Sequence, residues 1–270
     1  MKYIKGIQYM AKNSLLPYQM LLQHTKILKE KVEYVEKEVG GSFNIFSILG
    51  MERLECQTHS AFIFELLNPR GSHGQKYIYL REFVNHTLDV KDFDFKNIKV
   101  ERERAIGKWG RIDLVIEDEE SLIIIENKID AGDQPDQLKR YWEFAKRSKK
   151  KFKIYYLTLE GREPSEESLG YSEIEVICLS YQDHILSWLK RIIGVGKTPI
   201  LPSVRETILQ YIKLIEKLAG KVGNSMNTEL KDLLLQSNNL ALMQQLEQVL
   251  PYAKAEIEYK FWERFYETIH

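Results

Sequence analysis

The sequence is poor in cysteine and has no long run of hydrophobic residues. Its two cysteines, Cys56 and Cys178, are too few for a disulfide framework and lack the spacing of a zinc site. The densest apolar run, 122–125, is far shorter than the roughly 20 residues that span a bilayer. Polar residues interrupt the N-terminal segment, so no signal peptide is predicted. We therefore expect a cytoplasmic protein that does not cross a membrane, in which both cysteines are buried small apolar residues.

Net charge is also absent, because 39 Lys and Arg balance 39 Asp and Glu. This balance excludes a uniformly basic nucleic-acid coat and an acidic tail protein. The charges are nevertheless segregated, since segment 138–153 holds eight Lys and Arg residues against one acid, Glu143. Such a basic patch could contact a nucleic-acid backbone. It could equally be a solvated helix C-terminus, where lysines interact favourably with the helix dipole.

The hydrophobic pattern predicts helices at both ends of the chain and strands in the middle. Helices are predicted over 18–39 and 57–67, with a third ending near 86. Three β-rich runs, 98–104, 111–117 and 121–128, are expected to form an antiparallel meander. After them come a helix over 135–147, strands over 152–158 and 174–179, and helices from 181 onward with breaks at 194–202, 223–225 and Pro251.

This order of elements predicts an α/β or α+β fold around one mixed sheet. We expect an N-terminal helical segment over 1–43, a central domain over 44–222 and a C-terminal helical extension over 223–270. Residues 220–224 form the candidate boundary before that extension.

Charged residues interrupt two of the predicted strands. Asp113 lies between apolar residues of one strand, and the apolar run of the next strand ends in Glu126, Asn127 and Lys128. Acidic residues rarely interrupt a buried strand unless a partner compensates their charge. Because side chains alternate along a strand, Glu126 and Lys128 point to one face and Asn127 to the other.

The register of this hairpin can be predicted. With the turn centred on 119–120, Asp113 faces Glu126 and Arg111 faces Lys128. The turn contains no glycine, so a slip by one residue is an alternative that would separate the two carboxylates.

Two carboxylates that face each other are tolerated when a cation lies between them. Oxygen ligands of this kind suit a hard metal such as Mg²⁺, and the Asn127 backbone carbonyl is available as a third ligand. Lys128 could then orient a phosphate or stabilise an attacking hydroxide. The alternative is a surface cluster of salt bridges at the end of a sheet, which would contribute little to stability.

Asp113, followed after a gap by Glu126-Asn127-Lys128, resembles the bipartite signature of the PD-(D/E)XK nuclease superfamily. The resemblance covers about 44–211 and implies a restriction-endonuclease-like core of order αβββαβ, with helical N- and C-terminal additions. Ile112 stands where the signature has proline, a substitution that leaves the aspartate in place.

Two further motifs carry the resemblance. Gln137 and Tyr141 match the Gln-x-x-x-Tyr motif of the exonuclease-type branch, where it supports substrate and active-site positioning. Upstream, Glu55-x-x-x-His59 and the turn-rich stretch 66–74 resemble the N-terminal block of a bacterial group within the superfamily. The alternatives are a surface glutamine beside a partly buried tyrosine, and an ordinary helix-capping composition around Glu55.

The resemblance implies a metal-dependent nuclease that hydrolyses phosphodiester bonds, in DNA rather than RNA, with a role in bacterial defence or DNA processing. Mg²⁺ would be the cofactor, with Mn²⁺ as an alternative, and Lys128 would position the attacking water. Glu65 and Glu103 are competing acids. The implied metal ligands are Asp113, Glu126, Asn127 and Glu55, and the implied catalytic residues are Asp113, Glu126, Lys128 and Gln137.

DNA is the implied partner, with a second copy of the chain or defence-system subunits as further candidates. The opposing hypothesis is a nuclease-fold protein that binds nucleic acid or other partners without catalysis. Residues implied to contact nucleic acid are His59, Arg111, Lys139, Arg140 and Tyr141.

Overall fold

In the computed structural model, which describes residues 2–91, 93–220 and 224–269, the chain divides into two units. One unit is Phe43–Lys221, and the other combines Met1–Ser42 with Val222–His270. No helix in the described ranges is long and apolar enough to cross a membrane. The three-part division of the chain stays a prediction.

A five-stranded mixed sheet is the centre of the Phe43–Lys221 unit. Its spatial order is β1-β2-β3-β4-β5, in which β1, β2 and β3 are antiparallel neighbours and β3, β4 and β5 are parallel neighbours. The predicted meander and mixed sheet are therefore confirmed. The strands are β1 (Lys99–Ala105), β2 (Arg111–Glu117), β3 (Ser121–Lys128), β4 (Lys151–Thr158) and β5 (Ile177–Ser180).

The β2–β3 hairpin has the predicted register. Leu114 pairs with Ile125, and Glu117 pairs with Leu122. The same register places Asp113 opposite Glu126 and excludes the slip by one residue. The turn needs no glycine because the buried carboxylate of Asp118 accepts backbone N–H bonds from Glu120 and Ser121.

Helices cover both faces of the sheet, because the apolar residues of β2 and β3 alternate between the faces. The helices of this unit are α2 (Ile45–Ile48), α3 (Ala61–Leu67), α4 (Ile78–Glu82), α5 (Gln137–Arg147), α6 (Glu166–Leu169), α7 (Leu186–Ile192) and α8 (Pro202–Leu218). Leu114 and Ile125 pack on one face among the residues of α3, α4, α7 and α8, while Val115 and Ile124 pack on the other face against α5. π-Helical turns precede α3 (Glu55–Ser60), follow α4 (Phe83–Thr87) and precede α7 (Tyr181–Ile185).

The second unit is helical and corrects two predictions. Its helices are α1 (Lys2–Glu38), α9 (Asn224–Leu235) and α10 (Asn239–Ile269). Helix α1 includes Pro17 and starts earlier than residue 18, and the predicted break at Pro251 is wrong because α10 continues through it. A proline removes one backbone hydrogen bond, and long helical segments on both sides of it can carry that loss. The predicted break at 223–225 lies partly outside the described residues, since Gly223 is not among them.

Candidate active site

Four elements of the Phe43–Lys221 unit bring the predicted site residues together. Strand β2 carries Asp113, strand β3 carries Glu126 and Lys128, the π-helical turns before α3 carry Glu55, and the first turns of α5 carry Gln137 and Tyr141. The paired β-ladder ends at Leu114 and Ile125. Beyond that point the Asp113 carboxylate accepts the backbone N–H of Asn127 at 2.8 Å, so Asp113 is fixed to the facing strand.

Glu126 is the most enclosed acid of the site, with only 2% of its surface exposed. Its Oε1 accepts from Lys128 Nζ at 3.0 Å and from Gln137 Nε2 at 2.7 Å. Its Oε2 lies 3.1 Å from the Tyr141 hydroxyl. A buried carboxylate is tolerated when it is both paired with a charge and hydrogen-bonded. The contacts of Lys128, Gln137 and Tyr141 therefore explain how β3 can end in a buried glutamate.

Burial and like charge dominate the electrostatics of the two facing carboxylates. Burial, followed by the nearby charge of Glu126, raises the pKa of Asp113 to about 8. Burial also raises the pKa of Glu126, although Lys128 and Tyr141 oppose this shift. Burial alone would lower the pKa of Lys128, but Glu126, Glu55 and Asp113 together raise it. The neighbouring acids therefore favour the charged form of Lys128, while burial disfavours the ionised form of both carboxylates.

Asn127 points to the opposite face, as the alternation along β3 requires. Its fully buried amide donates to Ser60 Oγ at 2.9 Å and accepts from the Tyr181 hydroxyl at 2.9 Å. These two bonds tie the end of β3 to the π-helical turns Glu55–Ser60 and Tyr181–Ile185. Sequence reasoning assigned no role to Tyr181, because only the fold brings it to β3.

Glu55 contacts the chain just after β3. Its Oε2 accepts the backbone N–H of Ile129 at 2.6 Å, and its side chain is only partly buried. Its place among the metal ligands stays a prediction.

A second group of side chains adjoins Asp113. The ligand atoms of Cys56, Glu103 and Asp113 lie within 4.8 Å of one another. Glu103 Oε2 pairs with Arg111 at 2.7 Å, whereas its buried Oε1 has no hydrogen-bond partner among the described residues. Burial and the neighbouring carboxylates raise the pKa of the Cys56 thiol to about 11.

These contacts correct the interpretation of both cysteines. Both are half-buried and lie beside acids and not in the apolar core. Cys56 adjoins Glu103 and Asp113, and the Cys178 thiol contacts Glu163 at 3.2 Å. The sequence marked Glu103 only as a competing acid, yet it faces Asp113 from β1. Its place on the strand next to β2 was the signal in the sequence that could have assigned it to the site.

Two upstream residues, His59 and Glu65, are engaged in contacts within the fold. His59 is fully buried, with one ring nitrogen 2.9 Å from the Tyr211 hydroxyl and the other 2.8 Å from the Glu52 carbonyl. Its implied contact with nucleic acid stays a prediction. Glu65, the other competing acid, accepts from the backbone and hydroxyl of Ser72 and thereby holds a turn.

The basic residues near α5 are largely engaged within the protein. Arg111 pairs with Glu103, and Lys139 lies 3.8 Å from Asp136. Arg140 donates to the carbonyls of Trp109 and Pro135. Tyr141 is buried at 1% exposure, and its hydroxyl contacts Glu126. Its implied contact with nucleic acid stays a prediction.

Comparison with known proteins agrees with the fold and the site. Residues 43–213 match the family model of the PD-(D/E)XK nuclease superfamily, which covers more than half of the chain. The chain therefore belongs to the PD-(D/E)XK nuclease superfamily, a class of nucleases that usually use divalent metals. No curated protein and no solved structure matches the chain significantly. The Gln-x-x-x-Tyr assignment of Gln137 and Tyr141 stays a prediction.

The residues of the site fit a divalent cation. Asp113 and Glu103 lie in one group of possible ligand atoms, and burial together with the charge of nearby Glu126 raises the pKa of Asp113. The buried Oε1 of Glu103, which has no hydrogen-bond partner among the described residues, is a further candidate ligand. Carboxylate oxygens favour hard ions such as Mg²⁺ or Mn²⁺, and the Cys56 thiol, protonated at neutral pH, does not change that preference.

Proposed function

We propose that this protein is a metal-dependent nuclease that hydrolyses phosphodiester bonds in DNA, with Mg²⁺ or Mn²⁺ as cofactor. The observation that carries the proposal is the buried Glu126 carboxylate, held by Lys128, Gln137 and Tyr141 beside Asp113 of the neighbouring strand. Membership of the nuclease superfamily supports the reaction class. The choice of DNA, and a setting in bacterial defence or DNA processing, rests on the resemblance of the sequence motifs.

Asp113 and Glu126 would hold the cation, with the Asn127 carbonyl, Glu55 and Glu103 as further ligands. When bound, the metal would lower the pKa of a water molecule and stabilise charge on the phosphate.

The remaining residues would keep the reacting groups in place. The Lys128 ammonium, fixed by Glu126 at 3.0 Å, would orient the attacking water and the scissile phosphate. Gln137 and Tyr141 act as positioning residues, because they hold both oxygens of Glu126. Ser60 and Tyr181 fix Asn127 and thereby the end of β3.

The second candidate is a nuclease-fold protein that binds nucleic acid or a partner without catalysis. The site argues against it, because a buried Lys–Glu pair facing another acid is costly to keep without a function. The nuclease proposal also includes the expectation that the protein assembles with partner subunits or with a second copy of the chain.

The proposal is tested by incubating the protein with linear, circular and single-stranded DNA, and with RNA, in the presence of Mg²⁺ or Mn²⁺. We expect metal-dependent cleavage of DNA that is lost in Lys128→Ala and Glu126→Gln. Glu206→Gln is a matched control, since it changes an exposed glutamate on α8. Thermal unfolding of each variant separates loss of chemistry from loss of fold. Absence of cleavage of every substrate, or equal cleavage by Lys128→Ala, would contradict the proposal.

A further inference from the structure

A basic cleft lies at the edge of the sheet, outside the site described above. It has a volume of about 580 Å³ and lies between the loop after α3 and the beginning of β1, which is the edge strand. The side chains that line it include four cations and no acid. These cations are Arg70, Lys76, Lys96 and Lys99.

Three of the four cations are available for a ligand. Lys99 pairs with Glu101 at 2.9 Å, but no ion pair with a described residue is found for Arg70, Lys76 or Lys96. The same lining includes Tyr77 and Asn97, and the Asn97 amide nitrogen donates to Glu119 at 3.0 Å. Like charges gathered in a concave site raise the local concentration of an anion. The cleft is therefore suited to a ligand that carries several negative charges.

The basic segment 138–153 is only partly engaged within the protein. Lys150 pairs with Glu117 at 3.2 Å, and Lys139 lies beside Asp136. Lys146 and Arg147 lie over the rings of Trp142 and Trp109. Three further lysines of the segment are exposed and form no ion pair with a described residue: Lys149, Lys151 and Lys153. The cleft is therefore a second basic surface, at the edge of β1, in addition to the segment that the sequence singled out.

The cleft and the acids of the candidate active site share one strand. Lys99 begins β1 and Glu103 lies four residues later, a separation of about 13 Å along an extended strand. Between them, Arg102 is exposed and donates to the Cys56 carbonyl at 3.1 Å. A nucleic-acid strand carries one charge about every 3.4 Å of axial rise, so a few nucleotides bridge this distance.

We infer that the cleft of Arg70, Lys76, Lys96 and Lys99 binds the phosphate backbone of the nucleic acid on one side of the Asp113–Glu126 centre. This inference rests on the proposed nuclease function and names where its substrate is held. The contacts are to phosphates, so they raise affinity without reading the base sequence.

The test measures binding of a fluorescent single-stranded DNA to the full chain by anisotropy at several salt concentrations, without added metal. We expect Arg70→Glu combined with Lys96→Glu to weaken binding roughly tenfold or more at low salt. The dependence of log affinity on log salt should become shallower by about 1.4, or about 0.7 for each lost contact.

The matched control is Arg205→Glu combined with Lys190→Glu. It makes the same change in net charge at exposed Lys190 and partly buried Arg205, which form ion pairs with Glu216 and Glu206. Ion pairs of this kind contribute little to stability. We expect this control to bind DNA nearly as well as the wild type. Equal weakening by both double variants, or none in the cleft variant, would overturn the inference. Competition by polyglutamate that is as strong as competition by unlabelled DNA of equal charge would also overturn the inference, since it would favour an acidic protein partner.

Cleavage at saturating DNA separates this inference from the proposed function. The cleft variant should cleave at the wild-type rate once saturated, whereas Glu126→Gln should bind DNA and not cleave it. If Glu126→Gln cleaves normally, the proposed function fails. If Glu126→Gln is inactive and the cleft variant binds normally, only the inference fails. Thermal unfolding of both variants checks that the fold is kept.

Discussion

At the scale of single residues, the surroundings of Glu126 decide how the candidate centre works. Lys128 supplies the compensating charge, while Gln137 and Tyr141 fix the orientation of the carboxylate. Groups that orient a metal ligand affect activity almost as strongly as the ligand itself. The resemblance to the Gln-x-x-x-Tyr motif predicts a positioning role for Gln137 and Tyr141. Their contact with Glu126 could not be predicted, because it depends on how α5 packs on the sheet.

Tyr141→Phe tests this positioning role. The Tyr141 hydroxyl lies 3.1 Å from Glu126 Oε2 and also donates to the Arg111 carbonyl. Removing it takes one hydrogen-bond partner from each of these two groups. We expect DNA cleavage to fall about 10- to 100-fold through kcat, with little change in KM. Tyr171→Phe is the control, since Tyr171 is 80% exposed. A rise in KM with an unchanged kcat would contradict the positioning role and would favour Tyr141 as a substrate contact.

The buried His59 makes stability depend on pH. Burial lowers the pKa of His59 below its usual 6.5, so the unfolded chain binds a proton more readily than the folded chain does. The contribution of neutral His59 to the free energy of unfolding should therefore be complete above pH 6.5 and should be lost as the pH falls below it.

Denaturant unfolding between pH 5 and pH 8 measures this effect. We expect His59→Gln to show a smaller loss of stability at low pH than the wild type, and exposed His24→Gln to behave like the wild type. An unchanged pH dependence in His59→Gln would exclude His59 as the source.

At the scale of elements, the β2–β3 hairpin shows how far the sequence reaches. Its bounds, its register and the facing of Asp113 and Glu126 could be predicted, because alternating apolar residues and a short acidic turn define them locally. Tyr181 could not be placed, because long-range packing brings it to the site, whereas the place of Glu103 on the strand next to β2 gave a signal in the sequence. Pro251 misled the prediction, since an exposed long helix can continue through a proline.

The contacts of Asn127 should stabilise the end of β3. Tyr181→Phe removes the donor to the Asn127 oxygen and leaves a buried amide oxygen unpaired. We expect the free energy of unfolding to fall by about 1–3 kcal/mol, measured by denaturant titration. Ser60→Ala should have a similar effect on the amide nitrogen. A change near zero in both variants would show that β3 is held without these bonds.

At the scale of the whole molecule, net neutrality conceals a separation of charge within the Phe43–Lys221 unit. Asp113 and Glu126 lie on the neighbouring strands β2 and β3, and cations line the cleft at the beginning of β1. The sequence predicted a basic patch over 138–153 and did not predict the cleft, because linear counting cannot show which distant cations the fold brings together. Neutral composition therefore does not argue against a nucleic-acid substrate.

The central claim is that Asp113 and Glu126 form a divalent-metal centre for phosphodiester hydrolysis. The most direct measurement follows Mn²⁺ binding by electron paramagnetic resonance and DNA cleavage in the same samples of wild type, Glu126→Gln and Glu206→Gln. We predict that wild type and Glu206→Gln bind Mn²⁺ and cleave DNA, while folded Glu126→Gln loses both properties. Cleavage of DNA by Glu126→Gln at the wild-type rate, or cleavage by the wild type with all metal removed, would contradict the account.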